Sequence, residues 1–140
     1  MKKLFVDTNV VIDLLSKRLP FYDEAAALFS QADIQRLELS VSALTIANVS
    51  YTLLRQMDAQ RTKAVLRNLK LIVKVCPLDD RIIERALNDD DFSNFEDALQ
   101  YYSAISWEQE LIITRNLKDF KHSKLPILTA RQFLEMNRLF

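Results

Sequence analysis

LFVDTNVVIDLL, residues 4–15, changes its period partway along. Leu4, Phe5 and Val6 form an apolar run of the length a buried strand needs. After the polar triplet Asp7, Thr8 and Asn9, the apolar residues Val10, Val11, Leu14 and Leu15 recur at helical spacing. The stretch therefore reads as a strand over residues 3–6, a polar turn and a first helix. Lys17, Arg18 and Pro20 stop that helix, and Pro20 suits the first turn of a second one, residues 21–34, where its missing N–H costs nothing.

The alternation continues to the end of the chain. LELSVSA, residues 37–43, is strand-like, and Ser42 is placed to cap a third helix running to Leu54 or Met57. A fourth helix over residues 59–71 leads to a third strand, VKVCPL at 73–78, and then to a fifth helix over 79–90 whose acidic first turn suits the helix dipole. The acidic triplet 89–91 reads as a turn. A sixth helix covers 95–110, LIIT at 111–114 is a fourth strand, 115–124 is a polar loop, and the short extended piece LPILT at 125–129 enters a last helix over 130–139. Strands alternating with helices predict an α/β domain: a central, mostly parallel sheet of four to five strands flanked by about seven helices, one domain over residues 1–140. Ligands of such sheets bind beyond the carboxyl ends of the strands.

Composition removes several classes of function. The chain has no glycine, which excludes a Walker loop and a GxGxxG dinucleotide fingerprint, since both need glycine where backbone approaches phosphate. Its 19 basic and 19 acidic residues cancel, so contact with nucleic acid has to come from a local patch. A single cysteine, Cys76, allows neither an internal disulfide nor a thiolate zinc cage, and its apolar surroundings predict an inert buried thiol. No apolar run reaches the length of a membrane span and no signal core is present, so the expected location is cytoplasmic.

Asp7 stands at the carboxyl end of the first strand, where it can cap the first helix or hold a metal ion. Its company bears on the choice. Thr114, Arg115, Asn116 and Asp119 follow the fourth strand on the same edge of a parallel sheet, and the sixth helix begins with Phe95, Glu96 and Asp97. Several carboxylates gathered in one place repel one another unless a divalent cation lies among them. An oxygen-rich set without paired histidine or thiolate suits Mg2+ or Mn2+ rather than zinc. Thr8, Asn9 and Thr114 are candidates for hydrogen bonds that fix the direction of Asp7. Arg115, Lys118, Lys121 and Lys124 are candidates for contacts to a substrate phosphate. His122 reads as a surface residue, and Tyr51, Tyr101, Tyr102 and Trp107 read as packing rather than as base-stacking platforms. A dehalogenase-like phosphatase also begins with an aspartate after its first strand, but it needs a second one two residues on, where this chain has Asn9.

Four stretches, VDTNVVIDLL (6–15), SVSALTIANVSYTLL (40–54), FEDALQYYSAI (95–105) and LIITRNLKDF (111–120), followed by LPILTARQFL (125–134), resemble the PIN domain family in order and spacing. That family includes the VapC-like toxin ribonucleases of bacterial toxin-antitoxin pairs. The resemblance covers nearly the whole chain. It implies a ribonuclease that cuts RNA phosphodiester bonds with water activated by Mg2+ or Mn2+, held by up to four acidic residues. On this pattern Asp7 is the first acid and Asp97 the third, while the second falls on Asn48 and the fourth on Asn116. Asp7, Asp97 and Asn116 become the expected metal ligands, with Glu96 and Asp119 able to restore charge lost at the two amides. Thr45, Asn48, Thr52 and Arg55 form a polar stripe that is expected to bring Asn48 to the site. The resemblance also implies a homodimer, an RNA substrate and, for a toxin, a small antitoxin protein over the active-site groove. The two amides support a second expectation, a weakly active or inactive module that binds RNA or an antitoxin peptide. Substituting Asp7 or Asp97 is expected to alter stability little or to raise it, because crowded carboxylates are strained without their ion.

Overall fold

Residues 2–6 alternate as a strand between two packed layers must. In the computed structural model, which describes residues 1–139, Leu4 and Val6 point into one apolar cluster and Phe5 into another, and all three are fully buried. This strand, β1 (Lys2–Val6), lies at the centre of a five-stranded parallel sheet of order β3-β2-β1-β4-β5, with β2 at Leu37–Ser42, β3 at Val73–Cys76, β4 at Leu111–Ile113 and β5 at Ile127–Leu128. LPILT therefore supplies a fifth strand, and the sheet is wholly parallel.

Seven α-helices among the described residues cover the two faces: α1 (Thr8–Leu15), α2 (Tyr22–Asp33), α3 (Ala43–Leu53), α4 (Ala59–Lys70), α5 (Asp80–Leu87), α6 (Phe95–Ser106) and α7 (Ala130–Met136). Leu4, Val6, Leu39, Val41, Leu111 and Ile113 pack with Val10, Leu28, Phe29, Phe133 and Leu134 from α1, α2 and α7. On the other face Phe5, Cys76 and Ile112 meet Tyr101 and Ala104 of α6 and Phe120. Each fully buried side chain of this size contributes about 1.5–3 kcal/mol. Burial raises the Cys76 thiol to about 12, as expected of an inert core cysteine.

Pro20 departs from expectation. α2 begins at Tyr22, so Pro20 lies in the turn ahead of Phe21, the residue before the helix, rather than in its first turn. The polar loop after β4 also contains a short 3-10 turn, Leu117–Phe120, because Phe120 must reach the core. The acidic triplet 89–91 is a turn, as expected.

Helix ends show what the lack of glycine entails. α1, α2, α6 and α7 each finish with a residue in the left-handed region, and these are Lys17 (φ 52°), Gln35 (φ 62°), Glu108 (φ 54°) and Arg138 (φ 56°). All four close the paired backbone bonds of a Schellman turn, for example Lys17 N–H to Leu14 C=O at 3.3 Å and Arg18 N–H to Asp13 C=O at 3.1 Å. A side chain at such a position costs on the order of 1 kcal/mol, which glycine would avoid.

The sheet order reverses at β1: the chain runs outward through β2 and β3 on one side and through β4 and β5 on the other. Such a switch point opens a crevice at the carboxyl ends of the two strands that flank it. Asp7 after β1 and Thr114 after β4 stand at that crevice.

Candidate functional site

Asp7 caps α1 and also belongs to the crevice. Its backbone is extended and its carbonyl accepts the first helical bonds, from Val10 and Val11 N–H. Its carboxylate, 6% exposed, accepts from Thr8 N–H at 2.9 Å and Gln100 Nε2 at 3.0 Å on Oδ1, and from Thr114 Oγ1 at 2.8 Å on Oδ2. An ionised carboxylate offers about four acceptor positions. Three are filled, and the one left open is on Oδ2.

Gln100 organises this group. It is 2% exposed, and its amide also donates to Thr45 Oγ1 at 2.9 Å, with Thr8 Oγ1 at 3.4 Å sharing one of its two hydrogens, while its Oε1 accepts from the Ser42 hydroxyl. The amide orientation is dictated, because a carboxylate only accepts and so must face the NH2 end. Ser42 caps α3 through Thr45 N–H at 3.0 Å, as its position predicts, and also anchors Gln100. Thr8 Oγ1 and Thr45 Oγ1 lie 2.8 Å apart. Thr114 Oγ1 accepts from Asn9 Nδ2 at 3.3 Å and from Asn116 N–H at 3.0 Å. The structure thus brings Thr8, Asn9 and Thr114 around Asp7.

A cleft of about 230 Å³ opens over this network, lined by Asp7, Asn9, Asn48, Glu96, Asp97 and Asn116, with Arg18 at its rim. Asp97 is half-buried in the first turn of α6, whose cap is Asn94. Burial first, then the carboxylates of Asp119, Asp7 and Glu96, raise its pKa to about 6. Negative charge is therefore concentrated and unneutralised here. Asn48 is half-buried on α3 beside the buried Thr45; further along that stripe Thr52 bonds the Asn48 carbonyl and Arg55 is exposed, its guanidinium 5.2 Å from the Tyr51 ring. Glu96, Asn116 and Asp119 are exposed.

This donor set is all oxygen and suits a hard divalent cation. It is also thin: among the described residues no three acidic, histidine or cysteine side chains converge as a metal cage. A cation here would rest on two carboxylates, Asp7 and Asp97, with amide oxygens of Asn48 and Asn116 beside them. The raised Asp97 pKa fits, since a cation would offset both the burial of its charge and the repulsion from Asp119, Asp7 and Glu96.

The expected phosphate contacts lie elsewhere. Arg115 turns away from the cleft: its guanidinium makes a bidentate pair with Asp13, Nε to Oδ2 at 2.7 Å and Nη2 to Oδ1 at 3.2 Å, and lies 4.1 Å from the Phe21 ring centre. Asp13 is 1% exposed, and a buried carboxylate with a bidentate partner holds an arginine in place. Lys118, Lys121 and Lys124 are exposed and do not line the cleft. Among the aromatic residues, Tyr101 is core, Tyr102 donates to Asp89, and Tyr51, expected in core or subunit packing, is 67% exposed and lies outside the core. Sequence reasoning missed Gln100, Asp13 and the cleft position of Arg18. Asp13 interrupts an apolar helix face, and that interruption was a usable signal.

Comparison with known proteins agrees with this architecture. The PIN domain family matches residues 3–118. Ribonuclease VapC1 of Aquifex aeolicus is 26% identical over 138 residues, covering 96% of this chain and 94% of its own. A toxin-antitoxin complex from Klebsiella pneumoniae contains a chain that is 25% identical, with a TM-score of 0.68 over 91% of this chain and 97% of its own. VapBC-1 of nontypeable Haemophilus influenzae, at 18% identity, shares the fold with a TM-score of 0.69, over 92% of this chain and 98% of its own. Among the described residues no helix is long and apolar enough to cross a membrane.

Proposed function

Because the chain belongs to the PIN domain family, we propose that it is a metal-dependent ribonuclease that hydrolyses RNA phosphodiester bonds. The observation that carries this reading is the meeting of Asp7 and Asp97, remote in sequence, across one cleft at the switch point of the sheet. Mg2+ or Mn2+ is the cation the oxygen donors suit. When bound, it supplies Lewis acidity, acidifying water and offsetting charge on the phosphate. Asp7 holds its open Oδ2 position toward the cleft because Gln100, Thr114 and the Thr8 N–H fix the rest of the carboxylate. Asp97 provides the second charge. Asn48 and Asn116 offer neutral oxygens, while Glu96 and Asp119 add field without needing to touch the ion. With two formal charges rather than four, metal affinity is low and cleavage slow.

The names of the relatives extend the proposal to a toxin of a toxin-antitoxin pair; the family resemblance adds an antitoxin protein over the cleft and a homodimer as the working form, and the sequence reading adds cleavage in the cytoplasm. A second reading, an inactive module binding RNA or an antitoxin peptide, is favoured by the two amides and by the thin donor set. Cleavage of a structured RNA in Mg2+ or Mn2+, abolished by Asp7→Asn or Asp97→Asn, supports the enzyme. Intact RNA under those conditions, together with no Mn2+ density between Asp7 and Asp97 after soaking, supports the module instead.

A further inference from the structure

Arg115 leaves the cleft without the cation that reading the loop after β4 led one to expect, and a different arginine stands at its rim. Arg18 follows Lys17, whose left-handed backbone (φ 52°) reverses the chain at the end of α1, and the Arg18 N–H is tied to the Asp13 carbonyl at 3.1 Å. The reversal brings the side chain of Arg18 to the cleft that also holds Asp7, Asn48 and Asp97. Asp13 thus has two parts in the arrangement. Its side chain withdraws Arg115, and its carbonyl sets the turn that presents Arg18.

Charge supports the assignment. Arg18 is the one basic residue among those lining the cleft. Its guanidinium is exposed and enters no ion pair recorded among the described residues, although Glu96 and Asp97 line the same cleft. A planar, permanently charged donor at the edge of a carboxylate site suits a phosphate oxygen next to the bond being cut, which the acidic centre would otherwise repel.

We propose that Arg18 is the residue that binds the substrate backbone, through an RNA phosphate adjacent to the scissile bond. The inference rests on the ribonuclease reading above. Arg18 acts in binding rather than in chemistry, so its loss raises KM and leaves kcat nearly unchanged.

Steady-state cleavage of a labelled single-stranded oligoribonucleotide in Mn2+, over a range of salt concentrations, tests it with Arg18→Gln, Arg18→Lys and the surface control Lys63→Gln on α4. Arg18→Gln is expected to raise KM about tenfold and to reduce the slope of log affinity against log salt by about 0.7, the loss of one single-strand phosphate contact. Arg18→Lys restores part of the affinity, and Lys63→Gln matches wild type. Equal thermal melts of all variants exclude misfolding. If wild type cleaves and Arg18→Gln retains its KM and salt slope, the assignment of Arg18 is overturned while the ribonuclease reading stands. If wild type neither cleaves nor binds this oligonucleotide or the structured RNA named above, the ribonuclease reading fails and takes this assignment with it.

Discussion

Replacing Arg115 with alanine strands a carboxylate in the interior. Asp13 lies on the buried face of α1 with its side chain 2% exposed, and both of its oxygens bond the Arg115 guanidinium. Removing one partner of a buried pair costs about 3–5 kcal/mol, because the other charge is left without compensation. The reverse change is milder. Asp13→Asn keeps the shape of the side chain and leaves a guanidinium that is 26% exposed and still stacked on Phe21, for a loss of about 1–3 kcal/mol. For 140 residues the unfolding entropy is roughly 0.3 kcal/mol/K, so Arg115→Ala should lower Tm by about 10–17 °C. The double variant Asp13→Leu with Arg115→Met, which removes both charges, should regain most of that loss. Urea unfolding of the four proteins measures each term, provided m is unchanged. A cost below about 1 kcal/mol for Arg115→Ala, or a greater one for Asp13→Asn, refutes the view that Arg115 is a structural clamp.

Asp97 has a folded pKa near 6, above its unfolded value, so the folded state holds the extra proton between about pH 4 and 6 and metal-free stability falls as pH rises through that window. Asp97→Asn should abolish this slope and be the more stable protein at pH 7, as urea melts in EDTA across pH will show. Asp7→Asn should instead destabilise by about 1–3 kcal/mol, since its NH2 would face the donors of Gln100 or Thr114; this departs from the expectation that both acids are strained alike. Gln100→Leu should lower Mn2+ affinity or cleavage about 10–100-fold with an intact near-UV spectrum, and an unchanged titration would remove Gln100 from the site. Asn48→Glu with Asn116→Asp should raise Mn2+ affinity at least tenfold by calorimetry, an increase that a solvent-facing pair of amides would not produce. Glu108→Gly should raise stability by roughly 1 kcal/mol in thermal melts, because it relieves a left-handed side chain.

The strands and most helices were legible because their periods are clean: Leu4 to Val6 and Leu111 to Ile113 are short apolar runs bounded by polar residues, and Leu37 to Ser42 alternates apolar with polar. Ser42 announced its cap for the same reason. Helix ends were less legible, since the usual marker is glycine and this chain puts Lys17, Gln35, Glu108 and Arg138 there instead. In the site, acids and amides at strand ends could be read from position alone. What position does not encode is direction. Arg115 and Arg18 are both basic residues in polar segments, and only the buried Asp13 on α1 determines which of them is withdrawn. Gln100 was hidden by its company, an amide within FEDALQYY whose neighbours Leu99 and Tyr101 are both core residues.

The bond from Thr114 to Asp7 spans 107 residues, and the pair of Arg115 with Asp13 spans 102. Contacts so distant along the chain cannot form until most of the polypeptide exists, and loop closure over that length delays them further. During synthesis, β1 must wait for β4 before the cleft has its second wall. A half-made chain therefore carries Asp7 without the partners that orient it. The arrangement acts as a delay: the Asp7 carboxylate acquires its full set of donors only once Gln100 has been made and β4 has joined the sheet beside β1.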